Sequence, residues 1–132
     1  MQACLERLRA GGGRCTGPRV QVVRALVEHG GHASAGDLHR RIRDGGGSAD
    51  QASVYRTLAR LTELGITHAV PGLGGELHYG LGRRPHHHAL CRKCGAIVDI
   101  PAQLVAAALA GAAALSGFAL DALVMSGSCG SC

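Results

Sequence analysis

The chain has 132 residues, enough for one compact domain or two very small ones, and it carries 14 lysines and arginines against 9 acidic residues. Residues 1–84 hold twelve of these basic side chains and seven of the acids, so the net charge of +5 belongs to this part and predicts a polyanionic partner for it. The longest low-polarity stretch, residues 101–115, is shorter than the roughly 20 residues that span a bilayer, and residues 1–10 show no apolar signal-peptide segment. We therefore expect a cytoplasmic protein with no membrane partner, in which the six cysteines bind metal rather than form disulfides.

Four helices, each ended by glycine, are predicted in the first half of the chain. A hairpin of two short strands, with a turn rich in proline and glycine, follows the fourth helix. Helix, helix, recognition-type helix and hairpin in this order are typical of a winged helix-turn-helix, which we assign to residues 1–81. The predicted helices are 4–10, 17–29 with Thr16 as its cap, 35–43 capped by Ser34, and 51–64 capped by Asp50 or Ser48; the strands are 66–70 and 76–81.

The second part of the chain has a different pattern. Residues 82–85 are predicted to form a hinge linker, and residues 86–132 a small α/β domain. Its predicted elements are strands at 89–91 and 96–100, an alanine-rich helix at 101–115 and a strand at 120–125. The expected fold class is therefore α+β.

The strongest chemical signal is a pair of Cys-x-x-Cys motifs, Cys91 with Cys94 and Cys129 with Cys132. Two residues between thiolates let a tight turn direct both sulfurs at one ion, and two such turns complete a closed tetrahedral zinc site. The alternatives are redox thiols or a flexible tail with incidental cysteines. We favour a structural Zn²⁺ site, because one motif lacks ligands unless the other supplies them.

A run of three histidines precedes the first cysteine motif. On an extended segment His86 and His88 share one face and His87 lies on the other, so the shared face offers half of a nitrogen and oxygen metal site. A solvated polar segment is the simpler interpretation. The remaining ligands would come from elsewhere in the chain, and the candidates are His32, His68, His78 and Asp99.

The predicted fourth helix has one apolar and one polar face. Val54, Leu58 and Leu61 repeat with helical spacing and predict its buried side. The opposite side offers the side chains that bind bases and phosphates in a major groove, although an ordinary amphipathic surface helix would look similar. These side chains are Ser53, Tyr55, Arg56 and Arg60.

Taken together, these motifs resemble the ferric-uptake-regulator (Fur) family of metal-responsive bacterial repressors over nearly the whole chain. The resemblance implies a homodimer with an N-terminal winged helix and a C-terminal α/β dimerisation domain, and it adds Arg14, Arg19 and Gln51 to the DNA-binding residues. It also implies that the four cysteines hold structural zinc. The matching stretches are 14–19, 32–35, 53–58, 86–91 and both cysteine motifs.

The resemblance implies in addition one regulatory site for a divalent metal (zinc, iron, manganese or nickel). Its ligands map onto His32, His86, His88 and Asp99. The further acidic ligand of iron- and peroxide-sensing members falls at Gly80; we infer that His78, on the same face of the strand, replaces it. His68 is a second possible replacement, because the zinc-sensing branch often has histidine or aspartate at that position.

The expected function is a metal-dependent repressor, not an enzyme, that binds a palindromic double-stranded DNA operator as a dimer and serves zinc or iron homeostasis. A peroxide-sensing repressor of the same family is one alternative. A zinc-dependent hydrolase or deaminase is another, from a different class. A deaminase needs a His-x-Glu motif near Pro-Cys-x-x-Cys, and the histidine run at 86–88 has no glutamate at that spacing.

Overall fold

The computed structural model describes residues 1–82, 87–120 and 122–132. The chain divides into two compact units, residues 1–83 and 84–132, called here the first and the second unit. Residues 83–85 of the predicted linker, the predicted ligand His86 and position 121 of the last predicted strand lie outside the described residues.

The first unit packs four helices against a small antiparallel sheet. Its buried centre consists mainly of aliphatic side chains from three of the helices, among them Val22, Leu38 and Leu58, which are fully buried, and it includes Tyr79 from the sheet. Leu5 and Leu8 pack in a neighbouring cluster. The helices are α1 (Gln2–Ala10), α2 (Gly17–His29), α3 (Ala35–Asp44) and α4 (Gln51–Glu63), and the strands β1 (Ala33–Ser34), β2 (Thr67–Pro71) and β3 (Leu77–Leu81) lie in the order β1-β3-β2.

Strand β1 is absent from the sequence-based prediction, because two residues are too few to show a strand period. It pairs Ala33 with Tyr79 and Ser34 with His78, so β3 becomes the central strand of the sheet. This pairing holds the segment before α3 against the hairpin.

Two of the helices of the first unit begin with a side-chain cap. Ser34 Oγ accepts a hydrogen bond from Asp37 N (3.1 Å), and the Asp37 carboxylate accepts one from Ser34 N (3.4 Å), which completes a capping box for α3. Asp50, rather than Ser48, caps α4, and its Oδ1 accepts from Ser53 N at 2.6 Å. Thr16 occupies the cap position of α2, but its side chain makes no capping hydrogen bond.

The second unit is a three-stranded sheet with one helix. Strands β4 (His87–Cys91), β5 (Ile97–Ile100) and β6 (Val124–Gly127) lie in the order β5-β4-β6, with β4 and β5 antiparallel and β4 and β6 parallel. The parallel pairing needs a crossover connection, which contains α5 (Ala102–Ser116). Strand β6 begins four residues later than predicted, at Val124.

Helix α5 leaves most of its apolar surface uncovered in the single chain. Val105 is its one buried residue, whereas Leu104 and Leu115 are 73% and 93% exposed and Phe118, just beyond the helix, is 70% exposed. An apolar surface of this kind marks an interface. None of the helices in the described ranges is long and apolar enough to cross a membrane.

The capping box makes a prediction about stability. Ser34→Ala should lower the free energy of unfolding by about 1 kcal/mol, because the first turn of α3 loses a side-chain acceptor. Thr16→Ala is the matched control: it changes the cap residue of α2, where no side-chain bond is lost. Urea denaturation of both variants measures the difference, and equal losses would contradict the assignment.

Candidate metal centres and nucleic-acid interface

The parallel pairing of β4 with β6 brings the two cysteine motifs together. Cys91 is the last residue of β4 and lies opposite Gly127, the last residue of β6. Both Cys-x-x-Cys turns therefore leave the same end of the sheet.

The four cysteine sulfurs form a compact cluster in which all Sγ atoms lie within 4.8 Å of one another. The Sγ–Sγ distance is 3.8 Å between Cys91 and Cys132, 3.7 Å between Cys94 and Cys129, and 3.3 Å between Cys129 and Cys132. A tetrahedral ion with zinc–sulfur bonds of about 2.3 Å needs sulfurs about 3.8 Å apart. The cluster therefore has the donors and the dimensions of a structural zinc site.

The electrostatics of the cluster also favour a cation. Hydrogen bonds from the backbone N–H groups of Cys94, Cys129 and Lys93 lower the pKa of Cys91 to about 5. The distance from Cys129 N to Cys91 Sγ is 3.3 Å. Hydrogen bonds with the other three sulfurs raise the pKa of Cys132 to about 12. A thiolate thus forms readily at Cys91, and a cation bound among the sulfurs would favour ionisation of Cys132 as well.

In the first unit, the structure brings His32 and His68 into direct contact. Their Nε2 atoms are 2.8 Å apart, and the rings meet edge to face with centroids 5.0 Å apart. His68 lies on β2, and His32 directly precedes β1. The backbone carbonyl of His32 also contacts Nε2 of His29 at 3.2 Å, which helps to hold the loop that carries His32.

The structure gives His78 a different partner. Its Nε2 lies 2.9 Å from Glu76 Oε1, in the hairpin of β2 and β3, and this contact lowers the pKa of Glu76. Both His78 and His68 were predicted as possible replacement ligands, and the one that contacts His32 is His68. The role of His78 as a ligand stays a prediction, and its ring lies against a neighbouring carboxylate.

In the second unit, His88 and Asp99 face each other across β4 and β5. His88 Nε2 lies 3.2 Å from Asp99 Oδ1; the histidine is buried and the aspartate is exposed. His87 was expected to lie on the other face of this segment. It is buried, and its Nδ1 accepts a hydrogen bond from Leu123 N at 3.1 Å.

The predicted DNA-binding residues surround the start of α4. Arg14, Arg19 and Arg56 line a cavity of about 300 Å³, together with Thr16, Pro18, Ser53 and Thr57. Arg56 donates to Ser53 Oγ at 3.1 Å, and Arg19 donates to the Arg14 carbonyl at 2.9 Å. Gln51 and Tyr55 are exposed on the same helix. Guanidinium groups concentrated in one concave surface are suited to phosphate.

Arg60 is not among the residues that line this cavity. Its Nη2 donates to the Gly11 carbonyl at 2.6 Å and its Nη1 donates to Glu63 at 2.9 Å. Arg60 thus ties α4 to the loop after α1, and its part in DNA binding stays a prediction.

The comparisons with known proteins agree with this architecture. The family described as "Ferric uptake regulator family" matches residues 10–126. The chain belongs to the ferric uptake regulator family. It is 34% identical over 115 residues to ferric uptake regulation protein 1 of Mycolicibacterium fortuitum, covering 86% of this chain and 71% of that protein.

Two solved structures of this family resemble the chain along most of its length. One is the ferric uptake regulator of Vibrio cholerae, with a TM-score of 0.76 and 25% identity over 94% of this chain and 98% of that one. The other is a zinc uptake regulator complexed with zinc and DNA, with a TM-score of 0.69 and 29% identity over 99% and 90%. The predicted α+β fold class is confirmed. Membership identifies a transcription regulator and excludes the hydrolase and deaminase alternatives.

The cysteine cluster makes a prediction about folding. Cys94→Ser or Cys132→Ser should release the tightly bound zinc and lower the thermal stability of the ferric uptake regulator fold, because metal-binding energy is part of the folding energy of such a site. Zinc content by mass spectrometry and the unfolding temperature measure both effects.

Cys15→Ser is the matched control. Cys15 lies in the first unit, where its sulfur approaches the Leu5 carbonyl at 3.7 Å, so its loss should leave the zinc bound. A Cys94→Ser protein that retained its zinc and its full stability would refute the structural site.

Proposed function

We propose that this chain is a dimeric cytoplasmic repressor whose affinity for operator DNA depends on one regulatory divalent metal. The observation that carries the proposal is the pair of imidazoles on the DNA-binding unit. His32 and His68 present two nitrogen donors 2.8 Å apart on the same scaffold that holds α4. A regulator acting on DNA has its target in the cytoplasm, which supports that location.

We propose that each unit supplies some of the ligands of one regulatory ion. A tetrahedral ion with metal–nitrogen bonds of about 2.0–2.1 Å needs donors about 3.3 Å apart. His88 Nε2 and Asp99 Oδ1 already have a separation of 3.2 Å, and His32 and His68 need to move apart by a few tenths of an ångström. We propose that the regulatory ion takes ligands from both pairs, with His86 as a further donor.

The two histidines of the imidazole pair lie close in sequence to the DNA-binding helices. His32 lies three residues before α3, and His68 lies five residues after α4. A bound ion would supply the positive charge that links these donors to His88 and Asp99. Metal binding would then stabilise the arrangement of the two winged helices of a dimer in which the ion is bound more tightly. The size of this stabilisation equals the difference in the ion's binding free energy between the arrangements.

A second copy of the chain is the proposed occupant of the apolar surface around α5. Leu104, Leu115 and Phe118 lie at least 70% exposed in one chain, and burying them against a symmetry mate would stabilise a small unit. A two-fold dimer presents two α4 helices, which accounts for the expected palindromic operator.

The arginine cavity is proposed to contact the DNA backbone at the start of α4. Arg14 and Arg19 reach it from the segment that begins α2, and Arg56 reaches it from α4. Gln51, Ser53 and Tyr55, on the first turns of α4, are the proposed partners for bases and nearby phosphates.

The regulatory site can be tested with single histidine variants. His68→Ala and His88→Ala should abolish the stimulation of operator binding by added metal, because each removes one donor, while the cysteine zinc stays bound. Operator affinity as a function of free metal, with zinc content and oligomeric mass in parallel, measures these effects.

His78→Gln is the control, because the His78 ring contacts Glu76 rather than the imidazole pair. It should respond to metal like the unaltered protein. Loss of the response in His78→Gln, or its survival in His68→Ala, would contradict the proposed ligand set. His87→Ala is unsuitable as a control, since the His87 ring is buried and accepts from Leu123 N.

The DNA-binding surface can be tested with two arginine variants that each remove one positive charge. Arg56→Ala should weaken operator binding by about 1–3 kcal/mol. A loss confined to the operator would indicate base contact, and an equal loss on all sequences with a flatter salt dependence would indicate phosphate contact. Arg92→Ala, in the second unit and outside the cavity, removes the same charge and should have little effect; equal losses in both variants would contradict the proposed surface.

A further inference from the structure

Gly80 lies between the two histidines of the first unit. It is on the central strand β3, directly opposite His68 on β2. On the other side, β1 pairs Ala33 with Tyr79, and continuing this register by one residue brings His32 beside Gly80. The three residues thus occupy the same register position across the sheet, with Gly80 between the two histidines.

The two imidazoles meet over this glycine. Neighbouring strands are about 4.8 Å apart, so side chains on the two outer strands must reach across the central strand to touch. The Nε2–Nε2 distance of 2.8 Å shows that they do. A methyl group added at Gly80 would lie 2.7 Å from His32 Nε2 and 3.0 Å from His68 Cε1, closer than carbon atoms normally approach such neighbours.

The requirement for glycine is spatial. Gly80 lies within a regular strand and is not among the glycines with a positive φ in the described residues. Alanine is therefore compatible with the backbone at this position, and what it would disturb is the contact between the rings.

We propose that Gly80 determines which metals the regulatory site accepts, by leaving the space in which His32 and His68 can act as a pair of nitrogen donors. This inference rests on the proposed function. Any larger side chain at position 80 would displace at least one ring, and a carboxylate there would offer oxygen instead. Imidazole suits zinc, nickel and related ions, whereas carboxylate suits manganese and magnesium. With Gly80 in place, the site should therefore prefer Zn²⁺ over Mn²⁺.

His78 does not restore an additional donor on this strand. It lies two residues before Gly80, but its ring is held by Glu76 at 2.9 Å. With His88 and Asp99, the ligands on described residues would then be three imidazoles and one carboxylate.

Two variants of the full-length protein, with its cysteine zinc in place, test the inference. Gly80→Ala adds only the methyl group and should weaken Zn²⁺ binding at the regulatory site about 10- to 100-fold, the range seen when groups supporting metal ligands are changed. The double variant Gly80→Glu with His68→Ala replaces one imidazole by a carboxylate and should lower the ratio of Zn²⁺ to Mn²⁺ affinity at least about tenfold. Competition with chromophoric chelators measures the affinity of the regulatory site for each ion.

A measurement without metal gives an independent readout. In the unaltered protein, the Nε2 proton shared by His32 and His68 should give a hydrogen-bonded histidine signal in NMR spectra, and Gly80→Ala should remove it. Gly17→Ala is the matched control, because a methyl group added there meets no atom within 4 Å. It should keep both the signal and the Zn²⁺ affinity.

The outcomes separate this inference from the proposed function. An unaltered protein that binds no ion beyond the cysteine zinc would overturn both. If the unaltered protein binds regulatory Zn²⁺, two results would overturn the role of Gly80 alone. One is a Gly80→Ala variant with the same Zn²⁺ affinity as the unaltered protein, and the other is a double variant with the same ratio of Zn²⁺ to Mn²⁺ affinity. Unfolding temperatures near that of the unaltered protein ensure that altered binding reflects the site.

Discussion

The convergence of four cysteine sulfurs on one point, where a structural zinc ion would bind, is the constraint on which the second unit depends. Among its described residues only His87, His88, Cys91 and Val105 are buried, so the apolar core is too small to hold three strands and a helix together. The sulfurs of Cys91 and Cys132 are 3.8 Å apart because β4 and β6 run parallel and end together. A metal at this point would add a cross-link at the end of the ladder that pairs the two strands.

The first unit, in contrast, is stabilised mainly by buried apolar side chains. It has two neighbouring apolar clusters, with Val22, Leu38 and Leu58 fully buried, and two side-chain caps that fix where α3 and α4 begin. This rigidity allows α4 to present a defined face. It also allows a pair of histidines on the sheet to hold a precise spacing, so the proposed sensing and DNA-binding groups share one scaffold.

Much of the candidate site could be predicted from the chain, and the failures have physical causes. The cysteine motifs need only local turns to orient each pair of sulfurs, so their spacing was a sufficient signal. His68 and His78 could not be ranked, since the difference arises from Glu76, whose carboxylate takes the His78 ring. Arg60 has the helical position of a DNA-binding residue, but the carbonyl of Gly11, distant in sequence, accepts from its guanidinium. His87 shows the same limit, because its partner is the backbone of Leu123.

The sequence by itself determined the order of the helices and of the longer strands, the two-part organisation of charge and the family, because periodicity, caps and ligand spacing are local properties of the chain. Only the tertiary structure decided which polar side chains meet. Strand β1 is too short to be seen in the sequence, yet its pairing with β3 brings His32 level with Gly80 and His68. The absence of a side chain at Gly80 acquires meaning only when rings from two other segments occupy that space. Contacts of this kind depend on the register between strands, which becomes defined when the whole sheet forms.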